Sequence, residues 1–256
     1  MELANKTAFI TGGASGLGLA TARNFVEAGA NVCLYDMNEE LLELAAKEFG
    51  SEVSCFRGDV ADEASVKEAV KETISSFGSI HINVNSAGIG GAARTVGRDG
   101  PMPLEKFEHI IRVNLIGTFN VLRLCAEAMQ VNEPQNEDQE RGVIVNVASI
   151  AAFDGQTGQA GYAASKGGIV SMTLPIARDL AKRGIRVVTV APGIFETPLL
   201  AGAPDEVKEP LIAITQFPKR LGNPEEFAEE VAHIVMCRYL NGEVIRFDAG
   251  IRMPAM

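Results

Sequence analysis

Tyr162, Lys166 and Ser149 are the residues of this chain whose types and spacing point most directly to chemistry. In Tyr162-Ala163-Ala164-Ser165-Lys166 the tyrosine and lysine stand four apart, so on a helix they share one face, displaced by about 6 Å along its axis. A phenol ionises near pKa 10 and is a poor proton donor or acceptor at neutral pH. Beside an ammonium its anion is favoured, which is what a general base requires. Ser149 precedes Tyr162 by 13 residues, and its hydroxyl suits holding the oxygen of a reacting group. The same pair also fits an ordinary surface tyrosine and lysine, so the elements around it must decide.

The first of these elements opens the chain. Lys6-Thr7-Ala8-Phe9-Ile10-Thr11 is a short run of strand formers; Gly12-Gly13-Ala14-Ser15-Gly16-Leu17-Gly18 follows, then Leu19, Ala20, Ala22, Phe25 and Val26 at helical spacing. Strand, glycine-rich turn and helix in that order make a diphosphate site, because glycines admit the phosphates and the helix N-terminus presents unpaired N–H groups. The spacing is Gly-x-x-x-Gly-x-Gly, and a plain turn would also use glycines. A second strand, Asn31 to Asp36, ends in a carboxylate 18 residues after Gly18, where the ribose-binding acid of a dinucleotide fold is expected. A carboxylate accepts hydrogen bonds from a ribose and repels a 2′-phosphate. Neither Met37 nor Ala14 supplies a balancing cation, so NAD is the expected cofactor.

Strands are expected near 6–11, 31–36, 53–57, 80–85, 143–149, 185–191 and 243–247, with helices near 17–28, 39–49, 62–77, 104–130 (broken in the middle), 160–182 and 224–237. Continuous apolar strands alternating with helices imply one α/β domain, a doubly wound parallel sheet of seven strands in the order 3-2-1-4-5-6-7 with helices on both faces. Three segments fall outside this frame. Gly88 to Pro103 is long, glycine-bearing and placed to border an active site; Asn132 to Arg141 is polar and acidic and reads as a solvated loop; 193–217, with Pro198, Pro204 and Pro210, reads as a lid after strand six.

The formal net charge of −10 over 256 residues argues against a nonspecific nucleic-acid surface. Cys33, Cys55, Cys125 and Cys237 are scattered; Cys33, Cys125 and Cys237 sit in apolar runs and read as buried thiols of a reducing compartment. His81, His109 and His233 lie far apart and away from the cysteines, so no metal is expected. No apolar run approaches the ~20 residues of a membrane span. The first strand is expected about six residues in, which leaves no room for a leader, and a cytoplasmic location is expected. Ser149 lacks the Gly-x-Ser-x-Gly elbow of a hydrolase nucleophile.

Taken together, Thr11-Gly12-x-x-x-Gly16-x-Gly18, Asn85-Ser86-Ala87-Gly88, Asn114, Ser149, Tyr162-x-x-x-Lys166 and Pro192-Gly193-x-x-x-Thr197 resemble the short-chain dehydrogenase/reductase family, over nearly the whole chain. Longer stretches are similar to the type-2 3-hydroxyacyl-CoA dehydrogenases: Ile10 to Ala22, Asn132-Glu133-Pro134, Ala151 through Lys166 to Leu180, and Asn241 to Met253. The resemblance implies a Rossmann domain and hydride transfer to NAD. Tyr162 would be the acid/base, Lys166 would lower its pKa and bind the nicotinamide ribose, and Ser149 would hold the substrate oxygen. Asn114 would carry a proton-relay water, although an asparagine between helices also fits a cap. Gly12, Ser15, Gly16, Leu17, Gly18, Asp36, Asn85, Ala87, Gly88, Pro192, Gly193 and Thr197 would hold the dinucleotide. Asp59-Val60 match the family's adenine contact, with helix capping as the plainer reading of Asp59. Gln156 and Gln159 would line the substrate side. Arg94, Arg98, Lys208, Lys219 and Arg220 are candidates for the phosphates of an acyl-CoA. A homotetramer is implied. A steroid or other secondary alcohol as substrate, and a dinucleotide-binding subunit without turnover, stand as alternatives; the joint presence of Ser149, Tyr162, Lys166 and Asn114 counts against the second.

Overall fold

Runs of valine, isoleucine and alanine bounded by glycine and polar residues are stiff at χ1, and they pack on a pleated surface. In the computed structural model, which describes residues 1–197 and 205–255, seven such runs form one parallel sheet. They are β1 (Thr7–Thr11), β2 (Asn31–Asp36), β3 (Val53–Arg57), β4 (Ile82–Asn85), β5 (Gly142–Val147), β6 (Ile185–Pro192) and β7 (Val244–Phe247), in the order 3-2-1-4-5-6-7. The sheet is the expected one, with ends shifted by no more than two residues. β1, β4, β5 and β6 are buried along their whole length, while the edge strands β3 and β7 are only partly covered.

Successive side chains point to opposite faces, so each strand feeds two cores. Ala8, Ile10, Val32, Leu34, Val143 and Val145 pack against α1 (Gly16–Glu27) and, near the C-terminus, the helix Pro224–Met236. Phe9, Tyr35, Ile144 and Val187 meet α3 (Glu63–Phe77), α5 (Thr118–Met129) and α6 (Ala160–Ala181) on the other face. The remaining helices are α2 (Glu39–Phe49), α4 (Leu104–Ile111) and α7 (Asp205–Ile214), which makes Pro224–Met236 α8. Boundaries follow local chemistry. Asn38 accepts the Leu41 N–H at 3.1 Å to open α2, Asp62 accepts those of Ala64 and Ser65 to open α3, and Gly78 ends α3 at φ 83°.

Amides stand among the apolar strands at the centre of the sheet. Asn83 donates to the Phe9 carbonyl (3.1 Å), while Asn85 donates to the side-chain oxygens of Asn83 (2.8 Å) and Asn146 (2.9 Å), tying β1, β4 and β5 together. His81 packs inside as well, accepting the Thr7 N–H at 3.2 Å; burial, with Lys6 nearby, lowers its pKa to about 4 and keeps it neutral.

Several expectations need correction. The helix over 104–130 is not broken: α4 runs through a π-helical turn (Arg112–Gly117) into α5. Part of the lid expected to be irregular is α7, whose Pro210 forfeits one ladder bond within ten residues; Pro198 and Pro204 lie outside the described residues. Residues 88–103 carry a short antiparallel ladder, Val96–Gly97 with Gly100–Pro101. Cys237 is only half-buried, as is Cys55.

The polar segment 132–141 is a loop solvated only in part: Glu133 and residues 137–139 are exposed, but Asn132 and Glu140 are buried. Glu140 is buried and meets buried Arg186 of β6 at 2.8 Å and the Met1 ammonium at 3.1 Å. Arg186 also donates to the carbonyls of Ile234, Leu240 and Val235. Asn132 donates to the carbonyls of Ile80 (2.7 Å) and Arg141 (3.0 Å), fixing the other end of the segment. The acidic pair Glu137 and Asp138 faces solvent, at Arg238.

Among the described residues no helix is long and apolar enough to cross a membrane, and no group of three or more His, Cys, Asp or Glu residues is placed to hold a metal ion.

Candidate active site

Parallel strands all end on one side of a sheet, and ligands bind beyond those ends where the winding reverses. Here the C-terminal ends of β1, β2, β4, β5 and β6 open into a cavity of about 650 Å³. At one end lies the glycine turn, with Gly12, Ser15, Gly16 and Leu17 on the wall. Ser15 stands at the N-cap of α1 without capping it through its side chain, so the first N–H groups of the helix remain available to a ligand. The glycines here are obligatory. A Cβ on Gly12 (φ +61°) would come within 2.9 Å of the Ala87 backbone, and one on Gly18 within 2.2 Å of the Gly12 carbonyl oxygen. Gly18 therefore lies under the turn rather than on the cavity wall, letting α1 approach close enough to present its N-terminus.

Asp36 ends β2 at the same wall. Its carboxylate accepts the N–H groups of Ala14 (3.2 Å) and Asn38 (3.0 Å), which aims it across the mouth of the cavity. Val60 lines the cavity, but Asp59 does not: its carboxylate accepts the Ala61 N–H at 2.9 Å, and Asp62 is the residue that caps α3. Asn85 is likewise beneath the surface, its amide held in the sheet ladder, while Ala87 and Gly88 reach the wall. The Ala87 N–H donates to the Thr11 hydroxyl at 3.1 Å, locking this turn to β1.

At the far end β5 delivers Ser149 and α6 delivers Tyr162 and Lys166. Ser149 caps a single 3₁₀ turn (Ile150–Ala152), accepting the Ala151 N–H at 3.1 Å, and its side chain lies near enough to the phenol of Tyr162 to favour the tyrosinate. Burial raises the phenol's pKa, and the nearby Ser149 side chain lowers it only in part, so the net shift is upward. Lys166, expected together with a cationic nicotinamide to make the phenol easier to ionise, does not itself contribute to this shift. The reason is geometric: the Lys166 ammonium is buried, donates to the Val147 carbonyl at 2.8 Å and stands 5.9 Å from the centre of the Tyr162 ring. Burial depresses the lysine itself to about 8.

Asn114 sits in the π turn and is no helix cap. Its side chain accepts the Ile89 N–H (2.8 Å) and donates to the Ile89 carbonyl (2.9 Å) and the Ser165 hydroxyl (3.1 Å). A Cβ on Gly88 would lie 3.3 Å from both the Asn114 Oδ1 and the Lys166 Nζ, so the three groups meet at one point on the cavity wall. A π turn is common where a helix must present a side chain out of register. No sequence signal marks it.

Pro192, Gly193 and Thr197 line the opposite wall. Gln156 and Gln159 do not reach this cavity. Gln159 accepts the Gln156 N–H (2.9 Å), Gln156 donates to the Pro254 carbonyl (3.3 Å), and both line a separate depression of about 550 Å³ beside Arg94. Of the other candidate cations, Arg220 is committed to a bidentate pair with Glu226 at 2.6 and 2.7 Å, and Lys208 pairs with Glu196 at 3.6 Å.

A dinucleotide-sized cavity with a helix N-terminus at one end and a hydroxyl–phenol–ammonium cluster at the other defines a nicotinamide-dependent oxidoreductase. The family model described as short chain dehydrogenase matches residues 6–208, and the chain belongs to that family. It is 52% identical over 248 residues to the 3-hydroxyacyl-CoA dehydrogenase type-2 of Bos taurus, covering 96% of this chain and 95% of the relative. The human protein of the same name is 51% identical over the same shares. The crystal structure of 3-hydroxyacyl-CoA dehydrogenase type-2 from Mycobacterium avium superposes with a TM-score of 0.94 at 38% identity, over 98% of both chains.

Proposed function

We propose that this chain is an NAD-dependent dehydrogenase that interconverts 3-hydroxyacyl-CoA and 3-oxoacyl-CoA. The observation that carries the chemistry is the convergence of Ser149, Tyr162 and buried Lys166 on one end of the cavity. The names of the relatives carry the substrate class. The glycine turn, the α1 N-terminus and Asp36 fit a dinucleotide: the first two would hold its diphosphate and the carboxylate its adenosine ribose. When bound, the nicotinamide accepts or supplies the hydride. Ser149 holds the substrate oxygen; Tyr162 takes the alcohol proton in oxidation and returns it in reduction. Lys166 would bind the nicotinamide ribose, and Asn114 holds the backbone beside it and would carry a relay water.

Asp36 sets the cofactor preference in this reading. Asp36→Ala should cut the ratio of kcat/KM for NAD over that for NADP by about tenfold or more, the equivalent of one lost charge-assisted contact. A ratio unchanged by the substitution removes Asp36 as the selector.

Turnover of a panel of acyl-CoA, steroid and simple ketone substrates, followed by NADH absorbance, tests the substrate class. Acetoacetyl-CoA should give the highest kcat/KM, and trimming it to its pantetheine end should raise KM if cations such as Arg94 hold the nucleotide. A steroid turned over more efficiently would transfer the assignment to that class. We also read the chain as a homotetramer, supported by the apolar Ile116, Phe119 and Leu174 exposed on or beside α5 and α6.

A further inference from the structure

The reaction geometry depends on two segments that flank the cavity: the turn that follows Ser149 and the β6–Gly193 wall opposite. One arginine joins them. Arg246, near the end of β7, pairs with Ala191 in the sheet register, one residue before the Pro192–Phe247 pair. Its guanidinium reaches back to Asp154, with Nη2 at 2.7 Å from Oδ2 and Nη1 at 3.3 Å from Oδ1. It also donates from Nε to Asp248 at 2.9 Å and from Nη2 to the Ile251 carbonyl at 3.0 Å, and it stands 5.1 Å above the ring of Phe153.

Both groups it holds bear on the site. Asp154 ends the turn that Ser149 begins: its N–H donates to the Ile150 carbonyl at 2.9 Å, as the Ala152 N–H does to that of Ser149 at 3.0 Å. The next residue, Gly155, is pressed so closely on α6 that a Cβ there would lie 3.0 Å from that of Ala163, the neighbour of Tyr162. Asp248 leans on the opposite wall, since a Cβ on Gly193 would fall 2.8 Å from the Asp248 Cα. The Gly193 N–H in turn donates to the Phe247 carbonyl at 2.9 Å. The sheet closes the loop, because the Ala148 N–H donates to the Val190 carbonyl at 2.8 Å. Ser149, its turn, Asp154, Arg246, Asp248 and the Gly193 wall thus form one mechanical ring around the reacting end of the cavity.

We infer that Arg246 is a positioning residue for the reaction: through Asp154 it fixes the turn that sets Ser149 against Tyr162, and through Asp248 it fixes the wall against which the nicotinamide would lie. This rests on the dehydrogenase reading only for its kinetic consequence. The effect on the phenol is independent of any substrate. With the turn released, the Ser149 hydroxyl no longer stabilises the tyrosinate, and the phenol becomes harder to ionise.

The test compares wild type with Arg246→Met, which keeps the apolar stem over Phe153, and with Asp154→Asn, which leaves the Arg246 contacts to Asp248 and Ile251 in place. Alkaline titration of the tyrosinate absorbance, with the Tyr162→Phe protein subtracted to remove Tyr35 and Tyr239, should place the Tyr162 transition about one unit higher in Arg246→Met. With acetoacetyl-CoA and NADH, kcat should fall about 10- to 100-fold, as expected for a small misplacement of reacting groups, with the Kd for NADH within threefold. Asp154→Asn should move both readings in the same direction by less, and the double variant should be no worse than Arg246→Met. A phenol transition and kcat equal to wild type in a folded Asp154→Asn or Arg246→Met overturn the inference. So does a drop in kcat with an unmoved phenol transition, which marks a merely structural role. Should Arg246→Met not fold, Asp154→Asn decides alone. A wild type without activity on acetoacetyl-CoA would refute the substrate reading, and the titration would still judge Arg246.

Discussion

Tyr162→Phe should lower kcat by about 100- to 10,000-fold, the range that a positioned proton donor contributes, while the Kd for NADH stays within a few-fold. Only the hydroxyl that moves the proton is lost; the ring and the cavity wall remain. The pH dependence follows from the direction of the phenol's shift. Burial raises its pKa in the free protein and the nearby Ser149 side chain offsets this only partly, so at neutral pH the phenol carries its proton. Reduction, which needs that proton, should proceed at neutral pH. Oxidation, which needs the tyrosinate, should show kcat/KM climbing into the alkaline range, where kcat/KM reports the free enzyme. In Tyr162→Phe the residual rate should lose this dependence. A variant that keeps most of the wild-type kcat would strip Tyr162 of its role.

The largest expected effect on stability comes from far outside the cavity. Glu140→Ala should destabilise the fold by about 3–5 kcal/mol, because removing one member of a buried ion pair leaves the other uncompensated. At this chain length that corresponds to about 10 °C in Tm. Arg186 would then sit buried with only carbonyl partners. By contrast, Glu137→Ala, three residues earlier and well exposed opposite Arg238, should change stability by about 0.5 kcal/mol or less. Burial alone would raise the Glu140 carboxyl, but the Arg186 charge and the hydrogen bonds from Arg186 and the Met1 ammonium outweigh it, and the net shift is downward. A carboxyl depressed in the folded state stabilises above its unfolded pKa, and the gain is lost as pH falls through the folded value. Acid unfolding should therefore begin at lower pH in wild type than would be found without the pair, and its slope should flatten in Glu140→Ala. Equal urea midpoints for Glu140→Ala and Glu137→Ala would show that the pair contributes nothing.

These two predictions also mark where reading the sequence works and where it stops. The seven strands were legible because each is an apolar run between glycines or polar residues, and the glycine turn because its function requires backbone without Cβ. Tyr162, Lys166 and Ser149 were legible as neighbours. Their state was not, since nothing in a four-residue spacing says that the lysine would be buried and committed to the Val147 carbonyl. The π turn reads as a break in the sequence because Asn114 and Gly117 lower helix propensity between Arg112 and Gly117, and nothing in those residue types says that the helix continues through it. Glu140 was missed because a carboxylate in a polar segment resembles every other. Its partner did leave a mark: Arg186 interrupts the apolar run of β6, and a guanidinium inside a strand core demands a buried acceptor. Gln156 and Gln159 were misplaced because the turn after Ser149 carries them round to the neighbouring depression, a change of direction set by contacts with Pro254 and Arg246 far along the chain.

The amides of Asn83, Asn85 and Asn146 bear on how the chain finds its fold. A parallel sheet of valines and isoleucines is nearly degenerate: sliding one strand by two residues keeps every apolar group inside. The bonds among these amides and to the Phe9 carbonyl remove that freedom, because a slide strands the groups they pair in a dry interior at a cost of about 1–3 kcal/mol for each group left unpaired; the Asn146 Nδ2, buried without a partner in the native register, adds nothing to this. They act as an address written into the middle of the sheet. Misaligned pairings of the central strands would therefore be less stable than the native one.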